Sequence, residues 1–201
     1  MYRRQLASYD DGMATASRVT KAGPRDRLIA AAQRLVVSEG IRPVGVDRLC
    51  VEARVSKRSL YQYFLGKDEV VAAALSKEAE RHDVGLGRDE GLPPRDRVLA
   101  VFERLDDRAA SPQFPGCPFI GAATELKDRG HPASVVAREQ KVGLTAHFAG
   151  LLRRGGAREP DLLARQLTLV FDGASVHAVL HGGATPATRA TVEVLLAAHG
   201  M

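Results

Sequence analysis

Val46-Asp47-Arg48-Leu49-Cys50-Val51-Glu52-Ala53-Arg54-Val55-Ser56-Lys57-Arg58-Ser59-Leu60-Tyr61-Gln62-Tyr63-Phe64 reads as two short helices joined by a tight turn. Val46, Leu49 and Cys50 share the inner side of a helix over 46–53. Ser56 offers a hydroxyl to a backbone N–H freed at the start of a second helix, which runs to Tyr63. Leu60 and Phe64, four apart, face the first helix and turn Lys57, Arg58, Ser59, Tyr61, Gln62 and Tyr63 outward. These are the dimensions of a helix-turn-helix, whose second helix enters the major groove. There Arg grips guanine and Gln grips adenine through paired hydrogen bonds, each discriminating by ~1–3 kcal/mol. Lys, Ser and Tyr suit phosphates, as do the N–H groups that open the helix. A polar-faced helix in an unrelated bundle has the same periodicity.

Outward from this unit the pattern stays helical. Upstream, Pro24 stands at a first helical position before Leu28, Ala31, Ala32, Leu35 and Val36, and Gly40 stops that helix. Residues 1–23 lack apolar periodicity and read as a flexible basic arm. Downstream of Gly66, a fourth helix is expected from Lys67 to about Asp83. Gly85, Gly87, Gly91, Pro93 and Pro94 then mark the expected break. Further helices are expected over 95–110, 117–129, 132–155, 161–181 and 186–199, with Thr185-Pro186 as cap and first position of the last. No alternating strand and no repeat is found. The expected fold is all-α with about nine helices: an arm (1–23), a helix-turn-helix domain (24–68) and a helical ligand-binding and dimerisation domain (69–201).

Over 161–181, Leu162, Leu163, Leu167, Leu169, Val170, Phe171, Val176, Val179 and Leu180 surround nearly the whole circumference. Such a helix must be covered on several sides. Either a monomer core does this, or a second copy of the chain builds a four-helix bundle from helices near 161–181 and 186–199.

Charge is unevenly spread. Residues 1–67 hold 13 Lys and Arg against 6 Asp and Glu, a net +7; residues 68–201 hold 16 against 18, a net −2. Only the N-terminal third has the balance expected of a segment that meets a polyanion. No apolar stretch reaches the ~18 residues of a spanning helix, and the start lacks the apolar core of a signal peptide. Two cysteines, Cys50 and Cys117, are too few for a disulfide framework. A cytoplasmic protein without membrane association is expected.

Other constellations carry less. Cys117, beside a glycine and two prolines at a helix start, reads as a sensor of electrophiles or oxidants, or as a small residue lining the core. His177 and His181 have a metal-ligand spacing but no third ligand nearby. Phe102, Cys117, Phe119, His147, Phe148 and Phe171 are candidates for an apolar ligand pocket, or for plain core packing. Gly182-Gly183-Ala184-Thr185 lacks the ending of a phosphate loop. No catalytic residue, metal site or cofactor is expected.

Residues 24–75 resemble the DNA-binding domain of TetR/AcrR-family transcriptional regulators. The resemblance is carried by Arg27-Leu28-Ile29-Ala30-Ala31-Ala32-Gln33-Arg34-Leu35, by Glu39-Gly40, and by Val55 to Phe64 followed by Gly66-Lys67-Asp68-Glu69. Gly116-Cys117-Pro118-Phe119, Glu125 and Phe171-Asp172-Gly173-Ala174 look like segments of the ligand-binding halves of some members. Two positions depart from the family pattern. Arg54 stands where Gly is usual in the turn, at a cost on the order of 1–2 kcal/mol if the backbone there is left-handed. Gly45 stands where a Ser or Thr cap often begins the second helix.

The resemblance implies a homodimer on a palindromic duplex operator, released when a small-molecule effector moves the fourth helix. It also implies that Arg18, Lys21, Arg25, Arg54, Ser56 and Lys67 join the outward residues of the recognition helix at the DNA. A constitutive dimeric DNA-binding protein, and a helical enzyme with an incidental helix-turn-helix, are the alternatives.

Overall fold

The computed structural model describes residues 22–86 and 91–201, which form nine α-helices. Arg18, Lys21 and nearly all of the expected arm lie outside the described residues.

The first helix, α1 (Pro24–Glu39), starts on a proline and ends at Gly40, whose φ of 83° suits glycine and whose N–H bonds the Val36 carbonyl. It buries Leu28, Ile29, Ala31, Ala32 and Leu35. Across this face lie α2 (Val46–Ala53) and α3 (Lys57–Tyr63), which contribute Leu49, Cys50 and Leu60, with Phe64 just beyond. Arg34, Arg48, Glu39 and Glu52 link the outer sides of α1 and α2 through exposed ion pairs. Such pairs contribute little each (~0–1 kcal/mol), so the buried face holds the unit together.

Helix α4 (Lys67–Leu86) touches three cores. Val70 and Ala74 close the N-terminal core, while Val71 and Leu75 pack with Ile41, Phe119, Ala122, Ala133 and Ala137. The expected stop near Asp83 is corrected: the helix continues through position 85. A helical glycine costs only about 1 kcal/mol, and Leu86 in the last turn packs against the principal core.

That core is built by α5 (Pro94–Ala109), α7 (Pro132–Arg154), α8 (Pro160–His181) and α9 (Pro186–Ala198). The central α7 packs on α4, α5, α6 and α8. Helix α6 (Pro118–Leu126) ends three residues earlier than expected, because Lys127 turns left-handed with φ 53°.

One side of α8 is left uncovered by the described residues. Leu162, Leu169, Val176 and Leu180 are exposed there, Leu169 at 72% and Leu180 at 71%. Ala187, Ala190, Val194 and Ala197 form an exposed apolar stripe on α9.

Candidate nucleic-acid interface and effector cavity

Helix α3 is held from its ends and its back. The Ser56 hydroxyl accepts the Ser59 N–H at 3.1 Å, and Leu60 is fully buried. Lys57, Arg58, Tyr61, Gln62 and Tyr63 are exposed; Ser59 is half-buried. Tyr61 and Tyr63 leave about half their surface to solvent, 57% and 47%. Two rings so exposed suit a surface that meets something else.

The cations of the unit are not equivalent. Lys57 is anchored to Asp47 at 2.6 Å, and that hydrogen bond raises its pKa. Arg25 lies over the Phe64 ring, 5.6 Å from its centre. Arg58 is exposed and has no carboxylate partner among the described residues. It is the α3 cation left to reach a base or phosphate.

Arg54 adopts the left-handed conformation, with φ 54° and ψ 50°. Its N–H and that of Val55 close the end of α2 on the Val51 and Cys50 carbonyls. The backbone conformation usually supplied by glycine is therefore kept by an arginine, whose side chain is exposed. Gly45 caps α2 without a side-chain hydrogen bond.

Lys67 departs from its expected role. Its Nζ donates to the carbonyls of Val44 (3.1 Å), Arg42 (3.2 Å) and Ile41 (3.4 Å). An ammonium has three protons, and all three are spent on the connector between α1 and α2. The lysine positions α2 from behind instead of reaching outward.

The same connector is held from its other side. The Glu125 carboxylate, near the end of α6, accepts the N–H of Ile41 at 2.9 Å and of Arg42 at 2.7 Å. Arg42 donates in return to the Glu125 and Leu126 carbonyls. His131, which caps α7 by accepting the Ala133 N–H on Nδ1, brings its Nε2 within 3.3 Å of Asp68 on α4. Helices α4, α6 and α7 thus meet at the rear of the helix-turn-helix.

A cavity of about 220 Å³ lies among α4 to α8. Cys117, Phe119 and Phe171 line it, together with Leu105 and Leu144. Phe102, His147 and Phe148 do not line it. Phe102 and Phe148 stack on each other in the principal core with centres 5.8 Å apart, and His147 lies beside Phe148.

The polar wall was not anticipated: Glu78, Arg81 and His82 on α4, Arg104 and Arg108 on α5, and Lys141 on α7. Their signal was charge recurring at spacings of three and four among apolar residues. A larger groove, about 630 Å³, runs between α1, α4 and Pro115–Pro118 and shares Glu78, Arg81 and Arg108.

Cys117 sits at the N-cap of α6, half-buried and unpaired; Cys50 is buried, and burial raises its pKa. The rings of His177 and His181 lie 4.3 Å apart. Among the described residues no three His, Cys, Asp or Glu side chains gather as metal ligands, and no helix is long and apolar enough to cross a membrane.

An exposed recognition helix on a three-helix unit, backed by a larger helical bundle, defines the class: a helix-turn-helix DNA-binding transcriptional regulator. The model of the bacterial regulatory proteins of the tetR family matches residues 28–74. The crystal structure of a TetR-type transcriptional regulator from Streptomyces avermitilis is 45% identical. It superposes with a TM-score of 0.84 over 90% of this chain and 100% of that one. The regulator YjdC of Escherichia coli is 26% identical over 152 residues, 74% of this chain and 80% of its own. The E. coli repressor NemR is 25% identical over 187 residues, 87% of this chain and 94% of its own. The chain belongs to the TetR family and is a transcriptional regulator, not an enzyme.

Proposed function

We propose that the chain is a repressor that binds a palindromic operator as a homodimer and releases it when a small molecule occupies the C-terminal half. The units would be a helix-turn-helix over 24–68 and a ligand-binding and dimerising bundle over 69–201. One observation carries the reading. The helices that hold the α1–α2 connector, α4 through Lys67 and α6 through Glu125, also wall the cavity, through Glu78 and His82 and through Phe119. A ligand that favours a different placement of α4 or α6 shifts the spacing of the recognition helices. A tenfold loss of operator affinity needs about 1.4 kcal/mol of coupling, within the range of ordinary allostery.

The exposed stripes of α8 and α9 support the dimer, since contiguous apolar faces of this kind mark protein contacts. Pairing them around a two-fold axis would set two α3 helices about one helical turn, ~34–36 Å, apart. Arg54, Ser56, Arg58, Ser59, Tyr61, Gln62 and Tyr63 would meet the duplex, with Lys57 and Arg25 at its edge.

The test is selection of duplexes from a random pool, followed by fluorescence anisotropy on the selected site. Two-fold symmetric sequences bound by two protomers are the expected result. Absence of duplex binding at low salt would sink the reading.

A further inference from the structure

We propose that the cavity among α4 to α8 takes a compact organic anion, an apolar planar body carrying one acidic group. The proposal rests on the ligand-release reading above and adds the chemistry of the ligand. The apolar part of the wall is Leu105, Leu144, Phe119 and Phe171, all buried. Its charged part is four cations, Arg81, Arg104, Arg108 and Lys141, against one carboxylate, Glu78.

Arg108 is the residue on which the charge argument turns. Arg81 is bonded to Glu78 at 2.9 Å, Lys141 to Asp172, which lies outside the cavity wall, and Arg104 also has a partner. The Arg108 guanidinium has no carboxylate partner among the described residues. It lies 5.8 Å from the centre of the Phe114 ring and 3.2 Å from Nε2 of His82.

Arginine only donates, so Nε2 of His82 accepts and the imidazole stays neutral. Burial, and after it the charge of Arg108, lowers the His82 pKa in agreement with this. Arg108 is exposed at the cavity, and the same Nε2 lies 3.6 Å from the Glu78 carboxylate, which is already bonded to Arg81, so the neutral histidine brings no negative charge of its own to Arg108. A carboxylate matches the fork of a guanidinium with two hydrogen bonds, whereas a ligand ammonium would be repelled. At about 220 Å³ the cavity is below the ~300–1,000 Å³ of sites for drug-sized ligands, which makes the ligand compact. The larger groove beside α1 shares Arg108 but lacks Phe119 and Phe171, the rings that would hold a planar body.

Calorimetric titration of the full chain with benzoate, benzamide, benzylamine and inorganic phosphate at low ionic strength tests the proposal. Benzoate is expected to bind at least tenfold tighter than the other three. Arg108→Gln should erase that preference and Arg108→Lys should retain part of it. Equal or tighter binding of benzamide, benzylamine or phosphate overturns the proposal. So does benzoate binding that Arg108→Gln leaves unchanged, or no benzoate binding at all. Operator affinity measured in parallel separates the two readings. Benzoate that binds with this preference and leaves operator affinity unchanged supports the anion site and removes ligand release.

Discussion

Glu125 accepts the backbone N–H of Ile41 at 2.9 Å across 84 positions of sequence. Lys67 takes the carbonyl of the same residue from the opposite side. A connector of a few residues is thus suspended between a carboxylate on α6 and an ammonium on α4. The orientation of α2, and through it of α3, follows from where those two helices stand.

Removing the carboxylate should be costly. Hydrogen bonds to a charged group contribute about 1.5–3 kcal/mol each, and Glu125 serves two amides, so Glu125→Ala is expected to destabilise by roughly 2 kcal/mol or more. Glu125→Gln keeps one acceptor and should lose less. Urea unfolding measures both, and equal midpoints for all three proteins would mean that water replaces the carboxylate without loss.

Arg54→Gly should raise stability by about 1 kcal/mol, because the left-handed backbone at φ 54° penalises a side chain. If the guanidinium contacts a phosphate, the same change lowers DNA affinity and reduces the salt slope by about one. The two effects have opposite signs, so melting and salt-dependent anisotropy separate them.

The Ser56 cap secures the first turn of a seven-residue helix. Ser56→Ala is expected to cost about 1 kcal/mol and to weaken operator binding more than non-specific binding. Circular dichroism melts and anisotropy on operator and random duplexes report the two.

Leu169→Glu places a charge at the centre of the exposed α8 stripe. Sedimentation should show monomers where the parent chain sediments as a dimer, with operator affinity falling at least tenfold. A variant that remains dimeric moves the interface elsewhere.

Stability should decline in mild acid. Burial lowers the pKa of both His82 and His147; the second-largest cause is Arg108 for His82 and Arg97 for His147. A histidine with a lowered folded pKa binds its proton more readily unfolded. The penalty is therefore absent above its unfolded pKa, about 6.5, and grows as pH falls below it. Thermal melts from pH 7.5 to 5 should show the fall, and His82→Gln should flatten part of it.

Much of the fold was legible locally. Prolines at 24, 94, 118, 132, 160 and 186 stand at or beside helix starts, and Gly40 and Gly182 stand at helix ends. Their backbone preferences act without regard to the rest of the chain. The strain at Arg54 was readable for the same reason. The reach of α4 to Leu86 was not, because local propensity argued for a stop and packing of Leu86 overrode it. Phe102 and Phe148 could not be told from cavity residues, since one apolar ring at helical spacing suits either place.

The order of helices, the outward face of α3 and the burial of Leu60 follow from short-range patterns in the chain. The suspension of Ile41 between Glu125 and Lys67, and the meeting of Arg108 with His82, do not. Each joins segments 26 to 84 residues apart, and a pairing at that distance exists only once several helices have packed and set their relative rotation. Periodicity decides which way a side chain points from its own helix. Only packing decides what it meets there.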